Sequence, residues 1–264
     1  MIKENHYTYK SHSFNEDRFL VLNDLFVVLD GATDLSDNVN YKNRSEASIL
    51  VNFLKEKIAK QGDVNQNILH RLSKDSCELG FNKSPSVGLA GVKIEKDKLR
   101  LFSLGDCEII YKLKNGELYR FKKDALDKLD GVAISTLKEV AKEKNISIKK
   151  SVPFIKDLLR KHRLMKNTPN GYDIFEPLKE PSFNLYEKEL FIKDVESFYV
   201  CTDGFSSSFT TFNVFSNLNE LFKTNMTIKE IVEKIKEVAF LDKNYDKYPR
   251  FKLIDDITAI KVEL

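Results

Sequence analysis

The sequence predicts an α+β fold from three features: a β hairpin near the N-terminus, a group of β-type runs over 87–121, and helical patterns between and after them. A chain of 264 residues is long enough to bury one large core. We therefore expect a single domain that spans residues 1–264.

The N-terminal hairpin consists of two apolar stretches, at 18–22 and 25–29, joined by an Asn-Asp dipeptide. This dipeptide suits a tight turn between antiparallel strands. Such a hairpin would place Asp17 and Asp30 near each other at one end. A shared metal site needs that proximity.

Apolar residues then recur with helical spacing over about 47–58 and 68–79, as expected for two helices that cover one face of a sheet. Ser45 and Asn65 precede these segments and are candidate N-caps. Over 87–121 the period changes and predicts a meander of four strands separated by polar turns.

The second half of the chain combines both patterns. Residues at about 123–165 are charged with helical spacing and predict a helical insertion or lid. The Ser- and Thr-rich residues 205–212 predict a mobile loop beside Asp203. A helix is expected over about 228–240. The β pattern returns after the insertion in four short runs, at 171–175, 190–192, 198–202 and 257–262.

Four short acidic motifs lie at the ends or starts of predicted strands and are far apart in sequence. They are Asn15-Glu16-Asp17-Arg18, Leu29-Asp30-Gly31-Ala32, Thr202-Asp203-Gly204-Phe205 and Asp255-Asp256-Ile257-Thr258. A buried strand that ends in Asp-Gly places a carboxylate at the sheet edge, beside a glycine that lets the chain turn sharply. Carboxylates that converge there would repel one another without a cation between them. Because oxygen-only ligands suit Mg²⁺ or Mn²⁺ better than zinc, the motifs predict a metal-dependent hydrolase.

From about Asn15 onward, these motifs and their order resemble the PPM family of metal-dependent phosphatases, which mostly act on phosphoserine and phosphothreonine. Leu104-Gly105-Asp106-Cys107 is similar to the family's Gly-Asp-Ser element. The resemblance implies a four-layer αββα sandwich, in which two packed antiparallel sheets are flanked by helices. It also implies a phosphoprotein substrate, whose phosphate monoester is hydrolysed by direct attack of metal-bound hydroxide without a covalent phosphoenzyme.

The resemblance implies a role for each acidic residue. Asp30 would bridge two Mn²⁺ or Mg²⁺ ions, Asp203 and Asp255 would hold one ion, and the Gly31 carbonyl would help to hold the other. Asp17 would act mainly through ordered waters. We therefore predict that Asp30, Asp203 and Asp17 are both metal-site and catalytic residues.

Three further acidic residues have secondary roles in this scheme. Glu16 could orient the ordered waters, and Asp256 is expected to be a hydrogen-bonding neighbour of the ligand Asp255. Asp106 is a candidate ligand of a third, weaker ion. A plain turn between two strands accounts for Asp106 nearly as well.

Three positions depart from the family pattern. In an ungapped alignment, His12 replaces the Arg that many relatives use to bind phosphate, so we predict that His12 is a catalytic residue that contacts the substrate phosphate. His cannot form Arg's bidentate fork. Ala32 replaces a His that could protonate the leaving group, and Ser207 replaces an Asp that would help to hold a third ion. These differences keep open a catalytically weak or inactive, phosphatase-like sensor or binding module that recognises a partner through the insertion. A phosphatase of small phosphate esters would share the same site.

Composition limits the partners and the compartment. The 43 basic and 40 acidic side chains nearly cancel, so the net charge of +3 gives no reason to expect nucleic acid or an acidic membrane as a partner. The charged first residues and the lack of a long apolar run predict neither signal peptide nor membrane anchor. Cys77, Cys107 and Cys201 have no paired spacing, so we expect reduced thiols and a cytoplasmic protein. We also expect a monomer.

Overall fold

A computed structural model describes residues 2–33 and 45–264, and in these ranges ten strands form two five-stranded antiparallel sheets. Sheet I has the strand order β1 (Lys3–Tyr9), β10 (Ile257–Glu263), β9 (Val195–Cys201), β6 (Glu108–Leu113) and β7 (Leu118–Phe121). Sheet II has the order β2 (Asp17–Val21), β3 (Leu25–Ala32), β4 (Ser86–Glu95), β5 (Lys98–Leu104) and β8 (Tyr186–Phe191).

Strand β3 shows how the sequence produces the layers. Its apolar run has no polar alternation, because both of its faces are covered. Phe26 and Val28 point into the core between the sheets, where they meet residues such as Val200 of sheet I. Val27 and Leu29 point to the opposite face and pack beneath helices.

The helices form the two outer layers. On sheet II lie α1 (Glu46–Gln61) and α2 (Gln66–Ser76), whose N-terminal amides are capped by the side chains of Ser45 and Asn65, as predicted. On sheet I lie α6 (Asp203–Thr210), α7 (Leu218–Lys223) and α8 (Ile228–Leu241). The predicted α+β sandwich of two packed antiparallel sheets flanked by helices is confirmed.

The predicted insertion at about 123–165 contains α3 (Ala125–Lys144), α4 (Ile148–Ser151) and α5 (Lys156–Arg163). These helices share a small apolar core of their own. Tyr245, Phe251 and Leu253, from the segment that precedes β10, pack into the same core. The insertion is therefore packed against the chain that leads directly to Asp255. No helix within the described residues is both long and apolar enough to cross a membrane.

Local patterns predicted several segments incorrectly. The run over 87–121 is not one meander, because β4 and β5 belong to sheet II while β6 and β7 belong to sheet I. The chain changes sheet at Gly105, whose φ of 78° is left-handed. Residues 171–175 form only isolated bridges, of which Phe175 makes one with Val87.

The segment 205–212, predicted to be a mobile loop, lies mostly in helix α6, where Phe205 is fully buried. The side chain of Ser207 donates to the Gly204 carbonyl and that of Thr210 to the Ser206 carbonyl, so these polar residues bond within the helix. Strand β1 was not predicted at all, because its mostly exposed residues lack a buried apolar face.

Candidate metal centre

The β2–β3 hairpin brings the first two acidic motifs together. Asp17 and Asp30 are direct partners in the antiparallel register, as the sequence predicted. The Gly31 amide donates to the Glu16 carbonyl at 3.0 Å. A Cβ at Gly31 would lie 2.8 Å from that carbonyl oxygen and 2.7 Å from Cγ2 of Val51, so only glycine fits between the hairpin and α1.

Neighbouring strands of sheet I carry the other two motifs. Asp203 is the first residue of α6 after β9, and Asp255 lies just before β10, which pairs with β9. A Cβ at Gly204 would lie 1.9 Å from the Asp256 carbonyl oxygen, so glycine allows α6 to begin against this segment. The Thr202 hydroxyl donates to Asp17 at 2.9 Å and thereby links the two sheets at this end.

Asp106 joins the cluster from the turn between the sheets. Carboxylate oxygens of Asp30 and Asp106 and the sulfur of Cys107 lie within 4.8 Å of one another. A Cβ at Gly88, which pairs with Asp30, would lie 2.8 Å from Oδ1 of Asp106, so glycine leaves room for this carboxylate. Burial, followed by the charge of Asp30, raises the pKa of the Cys107 thiol well above its usual range, so the thiol is neutral.

The clustered carboxylates are electrostatically unfavourable as ions. Burial, and then the charges of Asp255 and Asp256, raise the pKa of Asp17 well above its usual range. Burial, and then Asp17 and Asp203, do the same to the pKa of Asp30. Burial, and then Asp255, raise the pKa of Asp203 to about 8. Because a bound cation would reverse this penalty, the arrangement is typical of a metal site.

The donor set fits divalent ions that prefer oxygen. Asp203 Oδ1 is buried, and in the described part of the chain it has no hydrogen-bond partner. Such an orphaned acceptor inside a carboxylate cluster is suited to a metal ion. The carboxylates of Asp17, Asp30, Asp203 and Asp255 could supply the ligands, and Asp106 could extend the set. These ligand assignments, and that of the Gly31 carbonyl, remain predictions.

The adjacent residues Asp255 and Asp256 have different environments. Both oxygens of Asp256 accept hydrogen bonds: Oδ1 from the amide and hydroxyl of Ser11, at 2.7 and 2.8 Å, and Oδ2 from the Glu16 amide at 2.6 Å. Asp256 therefore fastens the chain that leads into β2. Asp255 instead accepts from the Asp256 amide at 2.9 Å and forms an ion pair with Lys252.

The remaining predicted residues lie outside the carboxylate cluster. His12 is exposed in the bend between β1 and β2, and no contact that the structure describes links it to the acidic residues. Glu16 accepts a hydrogen bond from the Thr33 hydroxyl at 2.7 Å, and Ser207 donates within α6. Ala32 is half-buried at the end of β3. The role of His12 stays a prediction.

Sequence reasoning missed two cations near the centre. Lys252 contacts Asp255, and Arg163 at the end of α5 donates to the Thr33 carbonyl, next to the Asp30 motif. Partial desolvation of its ammonium group lowers the pKa of Lys252, but the charges of Asp255 and Asp203 outweigh this effect and raise the pKa above its ordinary value. In the sequence, only the position of Lys252, three residues before Asp255, could have indicated that the two residues form an ion pair.

The fold is that of bacterial serine/threonine phosphatases. Stp1 from Staphylococcus aureus matches with a TM-score of 0.58 and 12% identity, over 100% of this chain and 95% of that one. PstP/Ppp from Mycobacterium tuberculosis matches with a TM-score of 0.58 and 14% identity, over 100% and 98%. The PstP catalytic domain in complex with two manganese ions gives 0.54 and 14%, over 99% and 97%.

No protein-family model and no curated protein sequence matches this chain. At identities of 12–14%, the structural matches establish the fold. The fold that the resemblance to PPM phosphatases implied is confirmed.

Proposed function

We propose that this protein is a phosphoprotein phosphatase of the PPM family, which hydrolyses phosphoserine or phosphothreonine with two Mn²⁺ or Mg²⁺ ions. The observation that carries the proposal is the convergence of four motifs, distant in sequence, on one end of the sandwich. The orphaned oxygen of Asp203 and the raised pKa values of the cluster support a cation there. The phosphatase fold supports the choice of substrate class.

Bound divalent ions would neutralise the substrate phosphate and lower the pKa of a water molecule held between them. The chain's own task is to hold two ions without filling their coordination spheres. Asp30 lies beside both Asp17 and Asp203 and is suited to bridging, whereas Asp203 and Asp255 come from adjacent strands and could share one ion. Asp106 is the candidate ligand of a weaker third ion.

Thr202 restricts the orientation of the Asp17 carboxylate. Its hydroxyl donates to Oδ2 of Asp17, so one oxygen of this carboxylate is already engaged and its orientation is fixed. This geometry supports an indirect role for Asp17. A location in the cytoplasm, a monomeric state, a role in signalling and a single domain with an inserted helical segment belong to the same proposal.

The decisive experiment measures hydrolysis of an aryl phosphate and a phosphothreonine peptide after metal stripping, with Mn²⁺, Mg²⁺ or EDTA. Activity should require a divalent ion. Asp30→Asn and Asp203→Asn should each lower kcat by roughly a hundredfold or more, because each removes a charged ligand. Asp75→Asn, on the exposed face of α2, is the matched control and should behave like the parent.

The same assay separates the alternatives. Full activity in EDTA would refute the bimetallic mechanism. Two-ion binding without turnover of either substrate would favour the phosphatase-like binding module, which His12, Ala32 and Ser207 keep open. Efficient turnover of the aryl phosphate with no turnover of phosphopeptides would favour a phosphatase of small esters.

A further inference from the structure

Lys252 places a positive charge directly on one of the proposed metal ligands. Its Nζ forms an ion pair with Oδ2 of Asp255, while the side chain of Lys252 is 52% exposed and that of Asp255 is 28% exposed. The other oxygen of Asp255 accepts from the Asp256 amide at 2.9 Å. Both Asp255 oxygens are therefore engaged, in contrast to Asp203, whose Oδ1 has no partner within the described residues.

Two other cations around the centre, within the part of the chain that the structure describes, have partners outside the proposed ligand set. Lys122 lies near Asp106 but forms an ion pair with Asp127 at 2.7 Å. Arg163 donates to a backbone carbonyl, that of Thr33. Lys252 differs from both because its ion-pair partner is a proposed metal ligand.

The backbone around Lys252 is fixed although its side chain is half-exposed. Phe251 and Leu253, on either side of it, pack into the core of the helical insertion. Arg250 is only 7% exposed and donates to the Leu253 carbonyl at 3.0 Å. A lysine side chain carries a strongly hydrated ammonium group on a flexible four-carbon stem. The ammonium group can therefore move away from Asp255 without any movement of this anchored segment.

We propose that Lys252 is a resident counter-ion of the metal centre, which competes with a divalent ion for Asp255. The inference rests on the proposed function, because it assumes that Asp203 and Asp255 share one of the two ions. That ion must displace Lys252 or bind beside its charge, whereas among residues 2–33 and 45–264 the structure describes no ion pair to Asp17 or Asp30. The chain therefore binds its two ions with unequal affinity, and Lys252 weakens the site that contains Asp255.

The test is a calorimetric titration of metal-stripped protein with Mn²⁺. The parent should bind two ions in a tight and a weak step. In Lys252→Gln the weak step should tighten by roughly three- to thirtyfold, because a charge in contact with the ligand is removed, while half-exposure limits the gain. Lys252→Arg keeps the charge and should titrate like the parent. Lys247→Gln removes an exposed charge from the same segment and is the matched control.

Thermal unfolding of each variant in EDTA verifies that it is folded, and Lys252→Met provides a second neutral substitution if Lys252→Gln is not. Unchanged or weaker Mn²⁺ binding in a folded neutral variant would overturn the role of Lys252 while leaving two-ion binding intact. No Mn²⁺ binding in either the parent or the neutral variants would overturn the proposed function as well. Binding that appears only in the neutral variants would support the competition.

Discussion

Asp255 and Asp256 are adjacent, yet the structure gives them separable tasks. Asp256 is 6% exposed and uses both oxygens to hold Ser11 and Glu16, whereas Asp255 faces Lys252 and the carboxylate cluster. A charged acceptor with several amide and hydroxyl donors contributes to folding, because the donors lose their partner when it is removed. A carboxylate in a repelling cluster is suited to ion binding instead.

We therefore expect opposite effects from two matched substitutions. Asp256→Asn should lower the free energy of unfolding by about 1–3 kcal/mol, because an amide accepts these hydrogen bonds less strongly and at one oxygen only. Its Mn²⁺ affinity should change little. Asp255→Asn should lose Mn²⁺ affinity and keep most of its stability in EDTA. Denaturant unfolding and calorimetry measure both quantities, and the reverse pattern would mean that Asp256 is the ligand.

At the scale of single residues, the sequence predicted which carboxylates converge but not every neighbour they have. The Asp17–Asp30 pairing could be predicted because a two-residue turn sets the hairpin register. Lys252 could not, because it lies in an irregular segment whose path depends on the insertion core. No local periodicity encodes such a long-range placement.

Among the elements, helix α6 has an anchor that involves none of the proposed ligands. Ser206, three residues after Asp203, donates to the fully buried carboxylate of Glu108 on β6. Arg120 on β7 binds the same carboxylate with two bonds, of 2.6 and 2.8 Å. Because Glu108 also lies two residues after Asp106, this network joins the segments that carry Asp203 and Asp106.

Removing one partner of this network should be costly. Arg120→Met leaves the buried charge of Glu108 without its cation and should lower the free energy of unfolding by about 3 kcal/mol. Glu108→Gln combined with Arg120→Met should restore part of that loss, since no uncompensated charge remains. Ser206→Ala should cost only about 1 kcal/mol. Urea unfolding measures each value, and additive losses in the double variant would show that the residues do not act as a network.

At the scale of elements, the sequence predicts buried strands and amphipathic helices. It does not predict segments whose structure depends on pairing with a distant part of the chain. Apolar composition predicts the strands β3, β4 and β9. By contrast, β1 is a strand because it pairs with β10 along its whole length. The change of sheet at Gly105 is equally non-local. A Gly-Asp turn has the same local sequence whether the strand after it pairs with the strand before it or joins the opposite sheet.

The proposed metal centre is assembled from both sheets, so ion binding there would be coupled to folding of the whole molecule. Asp17 and Asp30 belong to sheet II, while Asp203 and Asp255 belong to the side of sheet I. Unfolding separates all four carboxylates. Any ion that requires the complete set therefore binds the folded state alone and stabilises it by mass action.

This coupling predicts how stability varies with pH. In the folded state Asp203 has a pKa of about 8, and the pKa values of Asp17 and Asp30 are also raised, whereas an unfolded Asp titrates near about 3.9. Between these values the folded chain binds more protons than the unfolded chain, so the stability of the metal-free protein should fall as pH rises from about 5.5 to about 8.

Mn²⁺ replaces those protons, and its stabilisation should therefore be larger at pH 8 than at pH 5.5. At an ion concentration about a hundredfold above Kd, Tm at pH 8 should rise by about 5–10 °C. Scanning calorimetry in EDTA and in Mn²⁺ measures both trends, and Asp203→Asn should flatten the metal-free profile. A metal-free Tm that does not fall over this range, or an equal Mn²⁺ effect at both pH values, would show that these carboxylates do not carry the coupling.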